Sequence, residues 1–130
     1  MNWKEINKKY PKAFDLFFEW FKGDPKAGVT KKEFLEVNDI VIMYGNLREL
    51  YDFFDEQEIW ITVYRMSKKD GFGWGWRIDE DIKGKFKKRN IYFPRPLIND
   101  SDIVLLARTD SEEAAFTKAF EILEEKILNN

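Results

Sequence analysis

Four phenylalanines, Phe14, Phe17, Phe18 and Phe21, recur at i, i+3, i+4 and i+7 between Pro11 and Gly23. That spacing closes one face of a 3.6-residue helix, and Ala13, Leu16 and Trp20 widen the stripe. A face this broad and aromatic must be covered on more than one side. It predicts a helix over 11–22 that others pack around, with Lys12, Asp15, Glu19 and Lys22 left for water. Pro11 suits the first helical turn and Gly23 the stop. The residues ahead of it, Trp3 to Tyr10, can form a short helix of their own.

Cap signals place the remaining helices. Thr30 with Glu33, Asn46 with Glu49 and Thr109 with Glu112 each have the spacing of a capping box. They predict a short helix carrying Phe34 and Leu35, a second helix over 46–57 with Leu47, Leu50, Tyr51 and Phe54 inward, and a long one over 109–128. The long helix groups Ala115, Phe116, Ala119, Phe120, Leu123 and Ile127 on one apolar face. Phe120→Ala is then expected to cost about 3–5 kcal/mol. Glu124 falls outside that face, so its truncation is expected to cost less than about 0.5 kcal/mol.

Ile59 to Met66 is rich in β-branched and aromatic residues, and Phe72 to Ile78 alternates aromatic with glycine or polar residues. Together they predict an antiparallel hairpin, 59–66 with 72–78, joined by the five residues 67–71. Ile91-Tyr92-Phe93, followed by Pro94 and Pro96, reads as a third strand held at an edge. The apolar runs 40–44 and 103–107 are each strand or helical turn, and periodicity does not choose. The expected fold is α+β: a small antiparallel sheet of three to four strands packed against helices 11–22, 46–57 and 109–128, in a single domain over 1–130. A chain of 130 residues, 44 % apolar, is large enough for one core.

Composition narrows the chemistry. There is no cysteine and no histidine, which removes disulfides, thiol nucleophiles, Ser-His-Asp arrangements and the usual zinc sites. A reducing cytoplasm suits such a chain. Charged residues make up 35 %, but the net charge is only −2, so any electrostatic preference is local. No apolar run approaches the roughly 20 residues that span a bilayer, and no membrane association is expected. No cofactor is implied.

Three regions are candidates for binding or chemistry. In the second hairpin strand, period two puts Phe72, Trp74, Trp76 and Ile78 on one face and Gly73, Gly75 and Arg77 on the other. The aromatic face is either a stacking platform or plain core, with the glycines letting Trp60 or Tyr64 lie over bare backbone. Next, Lys83, Lys85, Lys87, Lys88 and Arg89 place five positive charges in seven residues, with Tyr92 and Phe93 following. Cations interleaved with rings suit nucleic acid, although the acidic 79–81 triplet directly before them favours a solvated mixed-charge surface. Last, Asp52, Asp55, Glu56 and Glu58 with Asp79, Glu80 and Asp81 offer carboxylates for a hard cation, but no calcium-loop order is present, and solvated surface is the better reading.

The opening Asn2-Trp3-Lys4-Glu5-Ile6 and Tyr10-Pro11-Lys12-Ala13-Phe14 carry a further likeness. So do Leu50-Tyr51-Asp52-Phe53-Phe54-Asp55-Glu56-Gln57 and the stretch from Glu113-Ala114-Ala115-Phe116 to Glu124. In these blocks, about half the chain, the sequence resembles small uncharacterised proteins of phages and mobile elements in gut Bacteroides-type bacteria. The resemblance implies that context and no activity, since its motifs are helix-packing patterns. The function expected is binding of a host or phage protein; a nucleic-acid module using 83–89 is the alternative, and a carboxylate enzyme with a divalent cation the least favoured. Trp60, Tyr64, Phe72, Trp74, Trp76, Lys83, Lys85, Lys87, Lys88, Arg89 and Tyr92 form the candidate binding surface.

Overall fold

Asn2 opens the first helix, its side-chain oxygen accepting the Glu5 backbone N–H at 3.2 Å. In the computed structural model of the chain, the residues described are 1–22, 30–36, 48–68, 71–80, 91–93 and 108–129. The elements are α1 (Trp3–Lys9), α2 (Pro11–Lys22), α3 (Lys31–Glu36), α4 (Arg48–Glu56), β1 (Ile59–Lys68), β2 (Gly71–Glu80), β3 (Ile91–Phe93) and α5 (Arg108–Leu128). They fall into two compact units, Met1–Gln57 with Phe120–Asn130, and Glu58–Ala119. The fold is α+β.

The described elements of the first unit are helices, and their core is aromatic. Phe14, Phe17, Phe18 and Phe21 are buried as their spacing requires. Phe17 sits at the centre: Trp3 stacks on it at 5.2 Å between centroids and 11° between planes, while Phe34, Phe53 and Phe120 meet it edge-on at 6.0, 5.2 and 5.8 Å. Edge-to-face contacts bring the positive ring rim to the negative ring face, each contributing about 0.5–1.5 kcal/mol beyond area burial. Leu16, expected to widen the stripe, is instead 39 % exposed. On α4 the fully buried residues are Leu50, Phe53 and Phe54, with Tyr51 only half-buried; Phe53 was absent from the expected inward set, and Leu47 lies outside the described residues.

Helix ends in this unit are closed in three different ways. The Thr30–Glu33 box forms as spelled: the Glu33 N–H donates to Thr30 Oγ1 at 3.2 Å, and the Thr30 hydroxyl donates to the Glu33 carboxylate at 3.1 Å. Lys31 then ties α3 to α2, donating to Asp15 at 2.7 Å with its ammonium 5.7 Å from the Phe14 ring centroid. At the start of α2, the Tyr10 N–H is bonded to the Ile6 carbonyl at 2.8 Å and Pro11 has no N–H to satisfy. The two donors left over, Ala13 N–H and Lys12 N–H, point to the Glu124 carboxylate at 2.7 and 3.4 Å.

Glu124 is therefore a tertiary cap, 8 % exposed, and the expectation of a solvated, dispensable side chain is corrected. A carboxylate at a helix N-terminus is stabilised by the orphan N–H groups and the positive end of the macrodipole together. Two residues on, Lys126 does the converse for α4, its ammonium donating to the Gln57 carbonyl at 2.8 Å. Glu58, the next residue, takes the left-handed conformation with φ 60°, a position that glycine fills more often than a residue with a Cβ.

The second unit contains the hairpin. β1 and β2 pair antiparallel from Ile59↔Glu80 to Lys68↔Gly71, so the connection is two residues, not the expected five. A ladder that keeps satisfying backbone groups continues until the turn stops it. β3 pairs antiparallel with β2 over Trp76↔Phe93 to Ile78↔Ile91, giving the order β1-β2-β3. Ser111 on α5 donates its hydroxyl to the Trp74 carbonyl at 2.8 Å, at a position beyond the β3 pairing. Because α5 already begins at Arg108, Thr109 lies inside the helix and is not its N-cap. The expected cap at Asn46 and the runs 40–44 and 103–107 lie outside the described residues.

Candidate functional site

The β1–β2 register sorts the hairpin's side chains onto two faces, because directly opposed residues of an antiparallel pair share a face. One face carries Ile59, Ile61, Val63 and Arg65 with Glu80, Ile78, Trp76 and Trp74; the other carries Trp60, Thr62 and Tyr64 with Asp79, Arg77 and Gly75. The first is largely core. Ile59 and Ile78 are fully buried, Trp76 is 5 % exposed, and Trp74 is half-buried.

Of the six aromatic residues singled out in the sequence, the four whose side chains are described therefore do not form one platform. Trp74 and Trp76 lie on the face opposite Trp60 and Tyr64, and the buried Trp76 is not available to a ligand. The side chains of Phe72 and Tyr92 lie outside what is described, though Tyr92 pairs with Arg77 through the backbone. Lys83, Lys85, Lys87, Lys88 and Arg89 also lie outside the described residues.

What the structure assembles is the second face. Trp60 is 38 % exposed although it lies within β1, as the strand's second residue. Its directly opposed neighbour is Asp79; next along the face Thr62 opposes Arg77, and then Tyr64 opposes Gly75. The absent Cβ at Gly75 leaves room beside the half-buried Tyr64 ring, as expected for one of the two aromatics proposed to cover the glycines. Arg77 Nε donates to Asp79 at 3.1 Å, with the arginine side chain 41 % exposed and the aspartate 11 %. An ion pair in that setting contributes at most about 1 kcal/mol. Its main effect is to hold the guanidinium against Asp79, the residue directly opposed to Trp60.

Thr62 is not singled out by the sequence, which places Arg77 only on the glycine face of its strand and Asp79 only among the candidate carboxylates. The available signal was the i, i+4 spacing of Trp60 and Tyr64 around Thr62, which puts both rings on the same side of a strand. It becomes informative only with the register that brings Arg77 across.

Asp52, Asp55 and Glu56 are exposed on α4, and Glu56 accepts the Trp20 indole N–H at 2.8 Å. Partial burial pushes the Asp55 carboxyl up from its ordinary value, and the like charge of Asp52 adds to the effect. Asp79 and Glu80, expected at a solvated hairpin end, are instead 8 % and 7 % exposed. Among the described residues no group of three or more acidic side chains is arranged to hold a metal ion, and none of their helices is long and apolar enough to cross a membrane.

Comparison with protein-family models, with curated proteins and with solved structures finds no match to this chain.

Proposed function

We propose that the protein acts by binding another protein through the outer face of the hairpin, with Trp60 as anchor and Thr62, Tyr64 and Arg77 around it. The observation that carries this reading is an exposed tryptophan paired within a strand, sharing its face with a tyrosine and an arginine. Trp, Tyr and Arg are the residues most enriched where alanine truncation costs an interface its affinity. A strand holds them at low entropic cost, since the backbone is already ordered by the β1–β2 pairing. The resemblance to phage and mobile-element proteins makes the partner a host or phage protein, met in the cytoplasm. The hairpin belongs, in this reading, to a sheet of three to four strands.

Retention of a partner from host lysate by the wild-type chain, compared with Trp60→Ser and Tyr64→Ser, tests this. A partner held by the wild type and lost by both variants is the expected result. A partner held equally by all three, or by none, overturns it.

A further inference from the structure

Among the described residues, the order β1-β2-β3 leaves the ten-residue β1 at an edge of the sheet. Burial falls across the pair: Ile78 and Trp76 on β2 are buried, while Ile61 and Val63, directly opposite them on β1, are only half-buried. An edge of this length is usually blunted by charge or proline. From Ile59 to Tyr64 there is neither, and Arg65 is the first charge.

The sequence of this edge is close to self-complementary about Thr62. Antiparallel pairing of two copies about a two-fold axis at that residue sets Thr62 against Thr62, Ile61 against Val63, Trp60 against Tyr64 and Ile59 against Arg65. Hydroxyl with hydroxyl, β-branched with β-branched and aromatic with aromatic are the cross-strand pairs that stabilise sheets. No like charges oppose each other. Moving the axis by one residue to Val63 sets Ile61 against Arg65 and Thr62 against Tyr64, and the matching is lost.

We infer that β1 is a dimerisation edge: a second copy of this chain adds to it antiparallel about Thr62, giving a continuous sheet in the order β3-β2-β1-β1-β2-β3. The pairing is isologous and closes on itself, so it ends at a dimer and not at a fibre. Both copies keep the same face toward the same side of the sheet, so the two Trp60–Tyr64 faces become one row. The dimer and the partner-binding face share Trp60, Thr62 and Tyr64, but they are read separately: the dimer by sedimentation of the wild-type chain alone, the partner by its retention from lysate.

The absence of cysteine makes the register directly readable. Directly opposed residues have Cα atoms about 4.5–5.5 Å apart, within the range of about 4.4–6.8 Å that a disulfide spans. Under mild oxidation Thr62→Cys should therefore cross-link to a covalent dimer. Trp60→Cys should not, because the two copies of position 60 are offset by four residues, about 13 Å along the strands. Sedimentation equilibrium of the wild-type chain, from micromolar to millimolar concentration, should show a monomer–dimer equilibrium. Thr62→Lys, which opposes two like charges at the axis on an exposed position, should weaken it by at least about tenfold with an unchanged circular dichroism spectrum. A wild-type chain that stays monomeric, a dimer that Thr62→Lys leaves unaffected, or a Thr62→Cys variant that cross-links no faster than Trp60→Cys overturns the inference.

Discussion

The Glu124 carboxylate accepts the Ala13 backbone N–H at 2.7 Å, from 111 residues away in the chain. A helix start that no neighbouring residue caps is thus completed by another helix, and the contact is buried. Glu124→Ala removes the acceptor and leaves two donors without a partner, so we expect a loss of about 1–3 kcal/mol. Glu124→Gln keeps an oxygen but loses the charge, and should fall between the two. Urea unfolding of the three chains checks the order; equal stability of wild type and Glu124→Ala would remove the cap.

Lys126 meets the opposite end of a different helix. Replacing it with methionine retains the aliphatic stem and removes the ammonium from the Gln57 carbonyl. The expected cost is about 0.5–1 kcal/mol, the usual size of a charge at a helix terminus. It should shrink as salt is raised, which a lost packing contact would not.

At Glu58 the backbone is left-handed, with φ 60°. Glu58→Gly removes the Cβ that opposes this conformation and should raise stability by up to about 1 kcal/mol, whereas Glu58→Val should lower it by more than that. Thermal melts that rank valine above glycine would contradict the assignment.

Phe120 contacts Trp3, Phe17, Phe53 and Phe54 with ring centroids 5.0 to 6.4 Å away. Phe120→Ala should cost about 3–5 kcal/mol, and Leu16→Ala, at a position 39 % exposed, less than about 1 kcal/mol. The ratio of the two, from the same denaturation series, separates core from rim on the aromatic cluster.

Asp55 gives a pH dependence of defined sign. Its carboxyl titrates higher in the folded chain than its ordinary 3.8, so between those values the folded state binds more protons than the unfolded one. Stability from this group therefore falls as pH rises through that window and is recovered in acid. Asp55→Asn should be more stable than wild type at neutral pH, by about 0.5 kcal/mol at this exposed site, with the difference vanishing below pH 3.8. Parallel melts at the two pH values read it; a larger difference in acid would reverse the sign.

How much of this was legible beforehand depends on the range of the interaction concerned. The Phe14–Phe21 stripe, the Thr30–Glu33 cap and the hairpin alternation are written within a few residues of each other. Each follows from the 3.6- or 2-residue repeat, and each is present. Leu16 was misplaced because a periodic stripe shows direction but not how far the neighbouring helices reach around it. Glu124 was misplaced for a different reason: a polar residue beside an apolar face reads as solvated until the donors of a distant helix start are brought to it. The Trp60 surface was half legible. The spacing of Trp60 and Tyr64 puts them on one side of β1, but only the pairing of Thr62 with Arg77 and of Tyr64 with Gly75 adds the residues that make it a surface.

Local pattern thus determined the α2 stripe and the hairpin: helix and strand periodicity is a property of neighbouring residues, and burial of aromatic area is strong enough to act on it wherever the chain folds. The tertiary structure alone decided what Glu124 and Lys126 do. A charge takes its role from the helix ends it meets, and those are supplied by parts of the chain far from it.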